Sequence, residues 1–279
     1  MMGTVRERGP APSGPVGVFD SGLGGLTVLR AIRDRLPRES TVYLGDTARV
    51  PYGPKAADTI RRYALEATDF LVDKGAKSIV IACNTATARA LPDVQDRAGV
   101  PVLGVVEPGG RAAATASASG RIGVIGTRGT ISSRAYSTVI HDQRPDAEVF
   151  EQACPLFVPL VEEGWTDDEV TRLAAQRYLE PLLQKGIDTL VLACTHYPLL
   201  KPLLSDLVGP GVQLIDSAES TAAALDDLLS ASGISSSREE QPGARYYVTD
   251  EAARFDLLAR RLLGEGVDHL EMVSVDSTG

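Results

Sequence analysis

Short apolar runs that alternate with longer amphipathic stretches constrain the fold of this chain more than any other feature of its sequence. Val16-Gly17-Val18-Phe19 reads as a strand, Asp20-Ser21-Gly22-Leu23-Gly24-Gly25 as a Gly-rich turn, and residues 26–36 as a helix. Further apolar runs stand at 41–44, 77–82, 102–106, 121–125, 189–193, 213–215 and 245–248, with helical periodicity over 57–74, 168–184 and 219–229. Parallel strands need long crossover connections, and helices of this length supply them, so the pattern predicts an α/β protein built on parallel sheets.

Two of the runs end alike. Ile79-Val80-Ile81-Ala82 leads into Cys83-Asn84-Thr85, and Leu190-Val191-Leu192-Ala193 leads into Cys194-Thr195-His196, 111 residues further on. That interval is roughly the length of one small domain, which predicts two similar halves with one thiol each at a strand end, where α/β proteins carry their sites. Thiols on opposite sides of a substrate suit proton exchange. Pro108-Gly109-Gly110 marks the change of unit, and after Asp216-Ser217 the chain returns to the first unit. The expected organisation is a flexible leader over 1–14, a first α/β domain over 15–107 plus 217–279, and a second over 108–216.

The 279 residues are 43% hydrophobic and 23% charged, in the range of folded globular proteins. A formal net charge of −9 without a basic patch argues against a nucleic-acid partner. No apolar run approaches the ~20 residues of a membrane span, and the start lacks the apolar segment of a signal peptide. Three scattered cysteines with no CxxC pair predict reduced thiols and a cytoplasmic setting. Cys83, Cys194 and His196 include no close-spaced ligand pair of the kind zinc sites use, so no metal is expected.

Several residues could carry chemistry. Cys83 stands at a predicted helix N-terminus, where the dipole and free amides favour thiolate and would make it a usable base. A cysteine that closes a buried strand is equally a small core residue; duplication of the motif favours function. Cys154, followed by Pro155 and without such a motif, reads as structural. His196, two residues after Cys194, is placed to exchange a proton in the same pocket, whereas His141 and His269 have no such setting. Asp20 ends the first strand and either faces the site or caps the following helix. Its Gly-rich turn lacks the Gly-x-Gly-x-x-Gly spacing and a Walker lysine, so a nucleotide site is not indicated. In Asp46-Thr47-Ala48-Arg49-Val50-Pro51-Tyr52-Gly53, Tyr52 and the Gly53 amide could hold a small polar ligand.

Together and in order, Gly17-Val18-Phe19-Asp20-Ser21-Gly22-Leu23-Gly24-Gly25-Leu26, Tyr43-Leu44-Gly45-Asp46-Thr47, Pro51-Tyr52-Gly53, Ala82-Cys83-Asn84-Thr85-Ala86, Ile122-Gly123-Val124-Ile125-Gly126-Thr127 and Cys194-Thr195-His196-Tyr197-Pro198-Leu199-Leu200 resemble the bacterial glutamate racemases. The resemblance runs from about residue 15 to near the C-terminus. It implies two α/β domains related by a pseudo-twofold axis that enclose glutamate in the cleft between them. It also implies no cofactor, a possible homodimer and a supply of D-glutamate for peptidoglycan. Carried over by motif, Cys194 takes the α-proton of L-glutamate and Cys83 that of D-glutamate. Asp20 assists Cys83, while His196 and Glu162 assist Cys194. Substrate contacts fall to Asp20, Ser21, Pro51, Tyr52, Gly53, Asn84, Thr85, Thr195 and His196. Histidine after Cys-Thr favours glutamate over aspartate. The alternatives are an aspartate or hydantoin racemase of the same fold, and a non-catalytic protein that binds an amino acid or a partner.

Overall fold

The computed structural model describes residues 13–239, 242–250, 252–263, 266–267 and 269–275. Most of the expected leader, residues 1–12, lies outside them. Among the described residues ten strands form two sheets. The first sheet takes β1 (Val16–Asp20), β2 (Thr41–Gly45), β3 (Ser78–Ile81), β4 (Val102–Gly104), β9 (Ala244–Val248) and β10 (Leu270–Met272); the second takes β5 (Arg121–Gly126), β6 (Glu148–Ala153), β7 (Thr189–Ala193) and β8 (Gln213–Asp216). The helices in chain order are α1 (Leu26–Arg35), α2 (Ala57–Asp73), α3 (Asn84–Ala98), α4 (Val106–Ala116), α5 (Arg128–Ser133), α6 (Ala135–Gln143), α7 (Phe157–Glu162), α8 (Glu169–Leu183), α9 (Lys201–Val208), α10 (Ser217–Ala231) and α11 (Ala252–Leu263).

All strand pairs are parallel. The first sheet runs β10-β9-β2-β1-β3-β4 and the second β6-β5-β7-β8, so β2-β1-β3-β4 and β6-β5-β7-β8 share one topology. Under this correspondence β3 matches β7, and both cysteine motifs leave equivalent strands. The repeat also reaches β1 and β5, where Gly17-Val18-Phe19-Asp20-Ser21 corresponds to Gly123-Val124-Ile125-Gly126-Thr127.

Alternation along the strands builds a core on both faces of each sheet. In the first, Val16, Val18, Tyr43, Val80 and Ala82 pack with residues of α1, α10 and α11, whereas Phe19, Val42, Leu44, Ile79 and Ile81 pack with α2 and α3. In the second, Ile125, Leu190 and Leu192 face α7, α8 and α9, while Ile122, Val124 and Val191 face α4 and α6. Apolar runs with both faces buried are what made these strands legible in the sequence.

Three local features differ from expectation. The run at 102–106 ends as a strand at Gly104, and α4 begins at Val106 and carries Pro108-Gly109-Gly110 inside it. Proline suits the first turn of a helix, and Gly110 lets α4 approach α6, because a Cβ there would lie 2.6 Å from Val139 Cγ1. Strand β6 has no apolar run; it is a half-buried edge strand, Glu148-Val149-Phe150-Glu151-Gln152-Ala153, whose alternation carries little signal. Strand β10 is likewise a short, largely exposed edge. No helix among the described residues is long and apolar enough to cross a membrane.

Candidate active site

The C-terminal ends of the central strands of both sheets converge on one small cavity of about 30 Å³. The first sheet contributes Ser21 after β1, Cys83, Asn84 and Thr85 after β3, and the segment Val50-Pro51-Tyr52-Gly53 after β2. The second contributes Thr127 after β5, Val158 and Glu162 from α7, and Cys194, Thr195 and His196 after β7. Both candidate thiols therefore line one space. An adjoining depression of about 340 Å³ shares Val50, Pro51, Gly53, Thr127, Val158 and Glu162 with the cavity.

Cys83 is the N-cap of α3, with backbone in the extended region (φ −68°, ψ 117°) and its Sγ accepting the Ala86 N–H at 3.4 Å. The thiol donates to Ser21 Oγ at 3.5 Å. The helix N-terminus is thus where the sequence put it, but its pull toward thiolate is outweighed. Burial pushes the Cys83 thiol up to about 12, the Asp20 carboxylate adds to the rise, and the bonds from Ser21 and Ala86 offset only part of it. Desolvation of a charge exceeds the favourable field of one helix end.

Asp20 is fully buried and is not among the residues lining the cavity. Its Oδ2 accepts the Gly22 N–H at 2.9 Å and its Oδ1 accepts the Thr195 hydroxyl at 3.4 Å. Burial raises its carboxyl above the usual range, against the opposing pull of His196 and of these bonds. It thus stands behind Ser21 and reaches the cavity through Thr195.

On the opposite wall, His196 Nδ1 lies 3.9 Å from Cys194 Sγ. Its Nε2 lies 3.2 Å from Glu162 Oε1, an ion-pair contact in which the N–H is not aimed squarely at the oxygen. Burial alone pulls the imidazole down, yet the bonds to Cys194 and Glu162 outweigh it and carry His196 up to about 10. These contacts favour the imidazolium form of His196 beside Cys194. Cys154 is buried, packs in the core of the second unit and lies outside the cavity; burial raises its thiol, and its carbonyl accepts the Tyr197 hydroxyl at 2.8 Å.

Polar capacity remains in the lining. Asn84 Oδ1 accepts the Tyr136 hydroxyl at 2.7 Å, while Asn84 Nδ2 is buried with no partner among the described residues. Such an orphaned donor is costly unless it meets an acceptor, and it belongs to a residue on the cavity wall. Thr85, Thr127 and Thr130 join their hydroxyls across the cleft at 2.8 to 3.2 Å. The Tyr52 hydroxyl is committed to the Asp46 carboxylate, so the residue presents its ring and backbone to the cavity. Sequence reasoning did not single out Thr127, Val50 or Val158 as lining residues. The match of β1 with β5 was the available signal for Thr127, which occupies the position of Ser21 in the second repeat.

Among the described residues no group of three or more His, Cys, Asp or Glu side chains could hold a metal ion. The sequence matches the family described as Asp/Glu/Hydantoin racemase over residues 25–225. It is 50% identical to a glutamate racemase of Geobacter metallireducens over 262 residues, covering 94% of this chain and 97% of that protein. The structure superposes on a glutamate racemase of Bacillus anthracis with a TM-score of 0.90 at 39% identity, covering 94% and 97% of the two chains. It superposes equally well on that of Francisella tularensis in complex with D-glutamate, with a TM-score of 0.89 at 38% identity, covering 95% and 99%. With relatives this similar over nearly its whole length, and a site built from the repeated strand ends of two matching sheets, the chain belongs to the Asp/Glu/hydantoin racemase family and, within it, to the glutamate racemases.

Proposed function

We propose that this chain interconverts L- and D-glutamate by exchanging the α-proton between two thiols, with no cofactor, in the cleft between one unit of residues 15–107 plus 217–279 and another of residues 108–216. The observation that carries the reading is the pair Cys83 and Cys194 on one cavity, each at the end of an equivalent strand and each with its own charged neighbour.

In the L-to-D direction Cys194 thiolate removes the α-proton, and the electron pair of the broken C–H bond passes into the substrate carboxylate. The Cys83 thiol then returns a proton to the opposite face, leaving Cys194 protonated and Cys83 as thiolate. Proton exchange with solvent or neighbouring groups resets the pair. The electrostatics suit this starting state on the Cys83 side, since that thiol, pushed up to about 12 by burial, is held as the acid, while His196 Nδ1 stands 3.9 Å from Cys194 Sγ on the other wall. In the reverse direction the roles exchange, with Asp20 assisting Cys83 and His196 and Glu162 serving Cys194. An amino-acid C–H is a weak acid, so the developing negative charge needs preorganised donors in a site shielded from water. Asn84 Nδ2 is one such donor, and Ser21, Thr85, Thr195, His196 and the Pro51-Tyr52-Gly53 segment supply the remaining contacts. This function supplies D-glutamate for peptidoglycan in the cytoplasm, and the active species is taken to be a homodimer.

The test is incubation with L-glutamate in deuterated water without added cofactor, following optical rotation and Cα deuterium by NMR. Loss of rotation with deuterium gained at Cα is expected with glutamate and not with aspartate; Cys83→Ala or Cys194→Ala abolishes racemisation in both directions. Exchange on aspartate or a hydantoin in place of glutamate would overturn the substrate assignment, and exchange on none of them would leave a binding protein.

A further inference from the structure

Asp46 is a fully buried carboxylate that the proton transfers above do not use. It follows β2, where its N–H donates to the Asp20 carbonyl at 3.0 Å, beside the site. A charge removed from water is tolerated only when donors surround it, and three side chains do so. The Tyr52 hydroxyl and the Arg49 guanidinium, at 2.8 Å, reach Oδ2, while the Thr249 hydroxyl donates to Oδ1 at 3.0 Å. Arg49 is itself clamped by Glu66 and lies over the Tyr63 ring at 4.0 Å. Of the three partners only Tyr52 lines the cavity.

The segment that Tyr52 anchors spans the cleft. The Gly53 carbonyl accepts the Gly129 N–H at 2.9 Å, from the first turn of α5 on the opposite side. The fit is close enough that a Cβ on Gly53 would stand 2.9 Å from Thr127 Cβ. Pro51-Tyr52-Gly53 is therefore a strap with one end fixed by Asp46 and the other resting on the second unit. The two thiols are held by other elements, Cys83 by Ser21 and the start of α3, Cys194 by β7 and His196.

We propose that Asp46 is a positioning residue, whose carboxylate acts through the Tyr52 hydroxyl to hold this strap as a wall of the cavity and thereby sets the affinity for the amino-acid substrate. The inference rests on the racemase reading and adds to it a determinant of binding separate from the thiol chemistry. Loosening the strap enlarges a cavity of about 30 Å³ while the thiols keep their supports, so binding weakens in ground state and transition state alike and KM rises without loss of kcat.

Tyr52→Phe removes one oxygen and keeps the ring, and Asp46→Asn keeps the shape and removes the charge. Initial rates with L- and D-glutamate on the purified full chain should show KM raised about 5- to 10-fold in both directions for either variant, the loss expected of one buried hydrogen bond, with kcat within about twofold. The double variant should be no worse than the more impaired single, because both break the same link. Lys77→Met, which breaks a buried ion pair at the far end of β3, is the destabilised control and should leave KM unchanged. Unchanged KM in Tyr52→Phe, a fall in kcat alone, or additive effects would overturn the positioning role; if Asp46→Asn fails to fold, Tyr52→Phe decides. Wild-type protein that exchanges no Cα proton of glutamate would refute the racemase reading itself, whereas a turning-over wild type with indifferent variants refutes only the role of Asp46.

Discussion

Gly24→Ala tests whether the contact between the two strand-end loops sets the reacting geometry. Gly24 follows β1 in the Gly-rich turn and lies against the loop that carries Cys194. A Cβ built there would come 2.6 Å from His196 Nδ1, where ordinary contacts begin at 3.4 Å, and would also overlap Thr195 Oγ1. The nearest atom, Thr195 Oγ1, would stand 2.4 Å away, so one side must yield by about 1 Å. Neither neighbour can move freely: His196 is buried between Cys194 and Glu162, and Thr195 donates to Asp20. Overpacking of this kind costs about 1–3 kcal/mol of stability, and a displacement near 1 Å in a reacting constellation costs on the order of 10²-fold in rate. The expected result is a fall of about 10²-fold in kcat/KM, measured as Cα deuterium incorporation from each enantiomer, in a protein that still unfolds cooperatively. Enantiomers have equal free energy in water, so the fall must be the same in both directions. Gly211→Ala, where a Cβ meets nothing within 4 Å, is the matched control and should be neutral. Retention of kcat/KM within twofold by Gly24→Ala would refute the claim that this contact holds His196 and Thr195 in register with Cys194.

Other consequences follow from single contacts. The Lys77 ammonium and Glu39 carboxylate form a buried pair at 2.6 Å, Lys77 also donates to the Ile234 carbonyl, and Ser236 N–H donates to Glu39. Lys77→Met strands the carboxylate and should cost about 3–5 kcal/mol in urea unfolding, partly recovered by adding Glu39→Leu. His196 is raised from its usual 6.5 to about 10, so the stability it contributes is complete below about pH 6.5 and is lost as pH rises toward 10. Between pH 6.5 and 8, below the ordinary value of 9.0 at which Cys83 of the unfolded chain titrates, wild-type stability should therefore decline more steeply than that of His196→Gln, and parallel curves would contradict the pairing. Asn84→Ala removes the unpartnered cavity donor and should lower kcat/KM for glutamate by about tenfold or more, and it should also lower Tm, because the buried Tyr136 hydroxyl loses its acceptor at a cost of about 1–3 kcal/mol.

What could be read from the sequence and what could not divides along physical lines. Strands β1, β2, β3, β5 and β7 are buried on both faces, so their apolar runs declared them, and a parallel α/β fold followed. The placement of Cys83 and Cys194 at strand ends followed from the same runs, because a residue that closes a buried parallel strand must emerge at the sheet edge. Edge strands β6 and β10 escaped detection because exposure removes the need for apolar residues, and Pro108-Gly109-Gly110 looked like a break because the close packing that glycine permits in α4 involves residues distant in sequence.

The charge state of the site was decided by tertiary structure alone. A helix N-terminus beside Cys83 argued locally for thiolate, but desolvation and the Asp20 carboxylate, both products of the packed fold, raise that thiol to about 12. The rise of His196 needs Glu162 from α7 as well as Cys194, and the Asp46 carboxylate that anchors the Tyr52 strap, bonded locally to Tyr52 and Arg49, also takes the Thr249 hydroxyl from 203 residues away. The periodicities, the repeat and the identity of the reactive side chains were legible in the chain before folding, since these depend on local pattern. Burial and long-range electrostatics depend on which distant groups come together, and so only the folded chain could hold the Cys83 thiol as an acid and give each loop its place.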